Sequence, residues 1–216
     1  MYAIKRCGVH RDIILHVNYP LWKRALDVFG SLVGIIIIIP LFPFIALAIK
    51  LQDGGAVLIK LPRISEGREI YVYKFRSMVP DAMSRKKELE HLNERKDGPF
   101  FKMEHDPRVT KVGKLLRKFR LDEFPQLWNV LKGELALVGP RPHEPGEIAK
   151  YPTQYSYLPT LRSGVTGLSQ VSGASSLSFM KELELDDYYS KHSSLLMDLN
   201  IVIHTVAILF TDPTAV

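Results

Sequence analysis

Cysteine is nearly absent from this chain: Cys7 is the only one in 216 residues. A single thiol excludes an internal disulfide framework and any metal site built from several cysteines, and it suits a reducing, cytosol-facing environment. Also missing are an internal repeat, a Walker-type phosphate loop and any His/Cys/carboxylate cluster at metal-ligand spacing; the seven histidines are scattered. Acidic residues are the minority, 23 against 29 lysines and arginines, for a formal charge of +6. That balance excludes an acidic solvating tail and points to an anionic partner. With 46% hydrophobic and 24% charged residues the chain is not a disordered one, and its length suits one domain plus an appendage.

The apolar residues are concentrated in Val28–Leu51, where Lys50 is the only charge. Roughly 20 apolar residues suffice to span a bilayer as a helix, so a plain signal anchor is one reading. The stretch is too long for a secretory signal, and no small-residue cleavage site follows it. Two features favour another geometry. Pro40 lies mid-stretch with Pro43 after it, and each removes a backbone donor and obstructs a carbonyl, so the helix is expected to kink there. Both flanks are also basic: Lys5, Arg6, Arg11, Lys23 and Arg24 precede the stretch, and Lys50, Lys60, Arg63, Arg68, Lys74 and Arg76 end or follow it. The positive-inside rule keeps both flanks on the cytoplasmic face, which predicts a re-entrant, monotopic anchor kinked near Pro40. The division expected is 1–52 for the N-terminal segment and anchor, and 53–216 for a cytosolic or interfacial catalytic domain.

Ile70–Phe75 alternates as a short strand, with Val57–Leu61 as its partner and Ser65-Glu66-Gly67 near the turn. Pro80–Lys96 reads as a charged, solvated helix ended by Asp97-Gly98-Pro99. Lys102–Arg120 carries seven basic residues against Glu104 and Asp106, most of the chain's excess charge. Pro107 can start a helix there with Asp106 as N-cap, and Val109, Val112, Leu115, Leu116 and Phe119 recur at helical spacing. One face would be packed and the other cationic, either merely solvated or facing phosphates or anionic headgroups. A further helix is predicted from about Asp122 to Gly133. Asp122 and Glu123 then read, from spacing alone, as an N-cap and a first-turn acid. Arg141 lies between Pro140 and Pro142, so its backbone is restricted and its guanidinium has less entropy to lose on meeting a phosphate; a rigid turn pointing at water is the plainer alternative. Gly164–Gly173 reads as loop and Phe179–Lys191 as helix. Leu195–Phe210, apolar but holding Asp198, Asn200 and His204, reads as a core or interfacial helix. The fold class expected is α+β, mainly helical, with a short β-hairpin, the re-entrant helix and interfacial amphipathic helices.

Several segments in order carry a resemblance: Lys23-Arg24-Ala25-Leu26-Asp27 before the broken apolar helix, Tyr73-Lys74-Phe75-Arg76-Ser77-Met78, Leu121-Asp122-Glu123, Gln126–Glu134, Leu137–Pro142, Gly164-Val165-Thr166-Gly167, Glu184-Leu185-Asp186 with Tyr189, and Asp198-Leu199. From about Trp22 to Thr205 the chain resembles the bacterial sugar transferases, the monotopic phosphoglycosyl transferases, in what looks like their minimal catalytic form. The resemblance implies transfer of sugar-1-phosphate from a UDP-sugar to polyprenyl (undecaprenyl) phosphate with release of UMP. This would be the first membrane step of polysaccharide or glycoprotein glycan assembly, at the cytosolic face of the bacterial inner membrane. It implies Asp122 as nucleophile through an aspartyl phosphosugar, Glu123 as its dyad partner, and Mg²⁺ as cofactor with Asp122 as metal ligand. Lys74, Arg76, Arg117 and Arg141 are the implied substrate contacts. Membrane lipids are the other expected partner. This sequence departs from the family at Ile39-Pro40, where Ser-Pro is usual, at Leu61-Pro62-Arg63-Ile64-Ser65, and at Ala136 and Leu168; none touches the Asp-Glu pair or the Pro-Arg-Pro turn.

Three rivals are separable. A membrane-tethered basic protein binding acidic lipid or nucleic acid would be indifferent to Asp122→Asn, but no nucleic-acid motif accompanies the charge. An aspartyl-phosphate phosphatase would turn over without a lipid acceptor. An inactive scaffold is at odds with the intact Asp-Glu pair.

Overall fold

The computed structural model describes residues 19–173 and 176–211. Lys5, Arg6, Cys7 and Arg11 lie outside the described residues. The chain is mainly helical, with a small antiparallel sheet and a two-strand parallel pair.

The apolar stretch forms two helices, α1 (Leu21–Ile38) and α2 (Phe42–Asp53), bent by 60° across the break at Ile39–Leu41. Pro40 falls in the break and Pro43 in the first turn of α2, where a missing N–H costs nothing. The turn closes without a serine hydroxyl: Leu41 N–H donates to Ile38 O (3.0 Å) and Phe42 N–H to Ile39 O (3.2 Å). Among the described residues no single helix is long and apolar enough to cross a membrane; only the two bent helices taken together reach that length and apolarity.

The polarity of α1 is inverted relative to a helix packed in water. Its buried residues include Lys23, Asp27 and Ser31, while Leu21, Phe29, Ile36 and Ile37 are exposed. The buried charges are hydrogen-bonded or ion-paired. Lys23 forms an ion pair with Asp198 and donates to the Tyr189 hydroxyl (2.7 Å), which in turn donates to Asp198 Oδ1 (2.6 Å). Asp27 accepts from Tyr19 and from Leu137 N–H (2.7 Å). Gly30 and Gly34, one turn apart, let α1 lie closely on its neighbours: a Cβ on either would come within 2.5 Å of Leu137 or Leu127. The far end of the pair is also held, by Asp53 against Arg76. Both ends of the bent pair therefore attach to one body.

In that body β1 (Leu58–Ser65) and β2 (Arg68–Phe75) form the expected hairpin, longer than its alternating core, with Glu66-Gly67 at positive φ as the turn. The charged Pro80–Lys96 stretch yields only α3 (Ala82–Glu88) and one 3₁₀ turn. Helix α4 (Lys111–Lys118) begins later than Pro107: Asp106 accepts both Arg108 N–H (2.9 Å) and the Arg108 guanidinium (2.6 and 2.9 Å) in a turn ahead of the helix, and Thr110 is the cap, through Gly113 N–H (2.9 Å). The segment after it is a 3₁₀ turn, Leu121–Gln126, leading into α5 (Leu127–Lys132), which stops at Gly133 with φ 80°. The rest comprises β3 (Ala136–Val138), α6 (Pro145–Ile148), β4 (Gly164–Thr166), α7 (Leu168–Val171), α8 (Phe179–His192) and α9 (Leu195–Thr211). The stretch expected as loop, Gly164–Gly173, thus contains a strand parallel to β3 and a short helix.

Asn129 of α5 locks these pieces in register. Its fully buried amide takes Tyr73 N–H (3.1 Å) and gives to Tyr71 O (2.9 Å), standing in for a third strand along the free edge of β2. Arg24 fixes the other end of α5 to α1, donating to the carbonyls of Val130 and Leu131 at 2.7 Å each. Asn129→Leu keeps the volume but strands two backbone groups, so it should cost about 2–5 kcal/mol, read as a lowered denaturation midpoint in detergent; an unchanged midpoint would contradict this role.

Candidate active site

Helix α4 ends where Arg120 takes a left-handed backbone (φ 52°), a conformation uncommon for a residue with a side chain and usually glycine's. The chain thereby reverses and winds as 3₁₀ over Leu121–Gln126, with Pro125 inside it. Asp122 and Glu123 occupy its first turn. Neither is a cap: the N-cap position is Arg120, and no side-chain capping bond is made. The capping account of this acidic pair is thereby removed.

The two carboxylates differ in surroundings. Asp122 is 8% exposed and receives no hydrogen bond from another side chain among the described residues. Burial pushes it above the ordinary aspartate range; Lys74 opposes this, Glu123 reinforces it, and Arg117 opposes it. Glu123 pairs with Lys74 at 2.5 Å. Burial alone would raise it too, but Lys74 and Arg141, with Arg120 behind them, outweigh that and hold Glu123 well below the usual glutamate range. The two neighbours are thus pushed in opposite directions, Asp122 up by burial and Glu123 down by the cations around it.

Lys74 comes from the end of β2, whose register with the 3₁₀ turn is set by Asn129. Arg117 is on α4, its Nε donating to Ser77 Oγ (3.1 Å) just beyond β2. That close approach needs Gly113, where a Cβ would lie 1.9 Å from Ser77 O. Arg141 comes from the turn after β3 and is exposed. Of the residues expected at the site, Asp122, Glu123, Lys74, Arg117 and Arg141 are therefore brought together. Arg76 is not among them: it is buried and paired with Asp53 at the end of the bent helices. Arg63 of β1 was not singled out by sequence reasoning, yet it feels both Arg141 and Glu123 and pairs with Glu144 at 3.4 Å. Its signal was weak: Arg63 lies in the Leu61–Ser65 segment that departs from the family, and an arginine beside a proline in a strand carries no chemistry by itself.

The cationic groups around the dyad outnumber its two carboxylates, so the site favours an added anion. On α4 the outward face holds Lys111, Lys114, Leu115, Lys118 and Phe119, all exposed, and Trp128 of α5 is exposed as well. No group of three or more His, Cys, Asp or Glu side chains able to enclose a metal occurs among the described residues. The donor set present is a single open carboxylate beside an ion-paired one. That suits a cation such as Mg²⁺, which keeps most of its ligands as water and substrate phosphate.

A family model described as bacterial sugar transferase matches residues 18–212. The chain is 38% identical over 188 residues to a galactosyl transferase, CpsE, of Streptococcus agalactiae, covering 86% of this chain and 41% of that protein. It is 36% identical to the exopolysaccharide production protein ExoY of Rhizobium meliloti, covering 85% of this chain and 83% of that one. It is 34% identical over 200 residues to a UDP-N-acetylgalactosamine-undecaprenyl-phosphate N-acetylgalactosaminephosphotransferase of Aeromonas hydrophila, covering 89% and 44%. Against several of these relatives the chain spans about two-fifths of their length.

A raised aspartate is a cost to the fold. Its carboxylate binds a proton more tightly folded than unfolded, so the penalty is absent below the unfolded value near 4 and complete above the folded one. Asp122→Asn should therefore melt a few degrees above wild type at pH 7–8, with the gain vanishing as the pH falls toward about 4; equal melting across the range would contradict the assigned burial.

Proposed function

This chain belongs to the bacterial sugar transferase family, and from that premise we propose that it moves a sugar-1-phosphate from a UDP-sugar to polyprenyl phosphate, releasing UMP through an aspartyl intermediate. The observation that carries the reading is Asp122 itself: a buried carboxylate that caps nothing, lacks a side-chain donor, and lies beside an ion-paired glutamate among lysine and arginine side chains.

In the first step an Asp122 carboxylate oxygen bonds to the sugar-bearing phosphorus as that phosphorus loses its bridging oxygen to UMP. In the second, a phosphate oxygen of the lipid acceptor attacks the same phosphorus, and the Asp122 carboxylate leaves unchanged. The two substrates then need not share the site. A carboxylate approaching a diphosphate meets like-charge repulsion, which Lys74, Arg117 and Arg141 are arranged to offset, Lys74 and Arg117 also favouring the ionised form of Asp122. Glu123, kept ionised by Lys74, holds that lysine at the dyad. Asp122 is the residue that would hold Mg²⁺, which when bound supplies further neutralisation of the diphosphate.

The membrane placement rests on the bent helix pair. Its apolar residues face outward while Lys23 and Asp27 are buried and bonded inward, and patches of this extent are seldom left to water. Lys23 and Arg24 at one end and Asp53 at the other are bonded to the same body, which supports a re-entrant, monotopic anchor rather than a span. The lysines and apolar groups on the outer face of α4 suit the headgroup layer, with their chains reaching toward anionic phosphates. The dyad is then held at the depth where an acceptor phosphate resides, on the cytosolic face of the inner membrane. Galactose and N-acetylgalactosamine appear in the names of similar proteins, so their UDP forms head the donor panel.

Purified protein in nanodiscs, supplied with Mg²⁺, undecaprenyl phosphate and a panel of UDP-sugars, should release UMP from a selected donor only when the acceptor is present. Asp122→Asn should lower the rate by about a thousandfold or more. UMP accumulating beyond one equivalent without acceptor would mean hydrolysis, and an undiminished Asp122→Asn rate would remove the proposed nucleophile.

A further inference from the structure

Proline has no N–H, so the Pro140-Arg141-Pro142 turn owns a single backbone donor, the amide of Arg141. That amide donates to Asp186 Oδ2 on α8 at 3.1 Å. Asp186 is 3% exposed, and its other oxygen accepts from the Ser169 hydroxyl of α7 at 2.7 Å. The strand side of the turn is fixed separately, by Gly139 N–H to Thr166 O (2.9 Å) and Gly164 N–H to Pro140 O (2.8 Å). Beneath the turn Asp186, Arg141, His143 and Tyr151 line a small cavity. Burying a carboxylate to receive one amide and one hydroxyl is costly, and nothing in the dyad requires Asp186 directly.

We propose that Asp186 is a positioning residue for Arg141: by holding the turn's one amide from α8, with Ser169 holding Asp186, it sets the height and direction at which the guanidinium meets the donor diphosphate. The assignment rests on the reading of Arg141 as a donor contact. The flanking prolines stiffen the turn but cannot locate it, because stiffness fixes shape and only a bond to the scaffold fixes place. A displacement of about 1 Å at such a contact can cost up to about a hundredfold. Asparagine at position 186 keeps an oxygen for the Arg141 amide, and the Ser169 hydroxyl can turn to accept from the new NH₂, so the conservative variant should rescue what an apolar one loses.

The test is equilibrium dialysis of the full chain in nanodiscs against UDP with Mg²⁺. Asp186→Leu should weaken UDP binding about tenfold or more, and Asp186→Asn should stay within about threefold of wild type. In an Arg141→Ala background Asp186→Leu should add less than about twofold, because the two act as a unit. Full loss in that background, a wild-type affinity in Asp186→Leu, or an asparagine variant as weak as the leucine one would each overturn the assignment. Should Asp186→Leu not fold, Ser169→Ala decides: about threefold weaker binding is expected, and unchanged binding overturns it. A wild type that binds no UDP would overturn the donor reading and this assignment with it, whereas a wild type that binds while Asp186→Leu is unaffected removes only the role of Asp186.

Discussion

Two neighbouring carboxylates on one short turn repel each other, and much of this structure is arranged around keeping both there. Lys74 takes Glu123 at 2.5 Å, Arg141 adds its charge, and burial leaves Asp122 without a side-chain partner. If Lys74 served both acids equally, neither would be distinct. Its commitment to Glu123 separates their roles, leaving Asp122 the acid with unspent electron pairs. The geometry depends on Asn129, whose amide closes the free edge of β2 and fixes where Lys74 lies relative to the turn.

The same short helix that carries Asn129 joins the dyad to the apolar pair. Arg24 caps its last carbonyls from α1, Gly34 admits Leu127 at close range, and the Lys23–Asp198–Tyr189 network binds the start of α1 to α8 and α9. The bent pair and the dyad are therefore coupled through a few residues: wherever α1 lies, the dyad lies at a fixed offset from it. Charges inside and apolar groups outside are unfavourable in water, and they become favourable when lipid is the surrounding solvent.

Local signals in the sequence are legible where one residue type has one conformational consequence. The prolines mark the break at residues 39–41, alternation marks the hairpin, and Gly133 ends α5. Misreadings occurred where a distant or neighbouring partner decides. Asp106 turns the chain with bonds to the Arg108 amide and guanidinium, but the helix itself is capped by Thr110 and starts at Lys111. β3 and β4 are three residues each and pair in parallel across an intervening stretch, leaving no periodicity to detect. Arg63 and Asp186 matter through what surrounds them, and spacing along the chain does not encode that. Arg76 shows the converse: an arginine in a basic, motif-bearing segment whose charge is used by Asp53.

The most direct test of the central claim is intact-protein mass spectrometry after incubation with Mg²⁺ and the accepted UDP-sugar, with the lipid acceptor withheld. The account predicts an adduct equal to one sugar-1-phosphate, mapped to Asp122, discharged on adding undecaprenyl phosphate, and absent from Asp122→Asn. UMP release without an adduct, or an adduct that persists in Asp122→Asn, would contradict it.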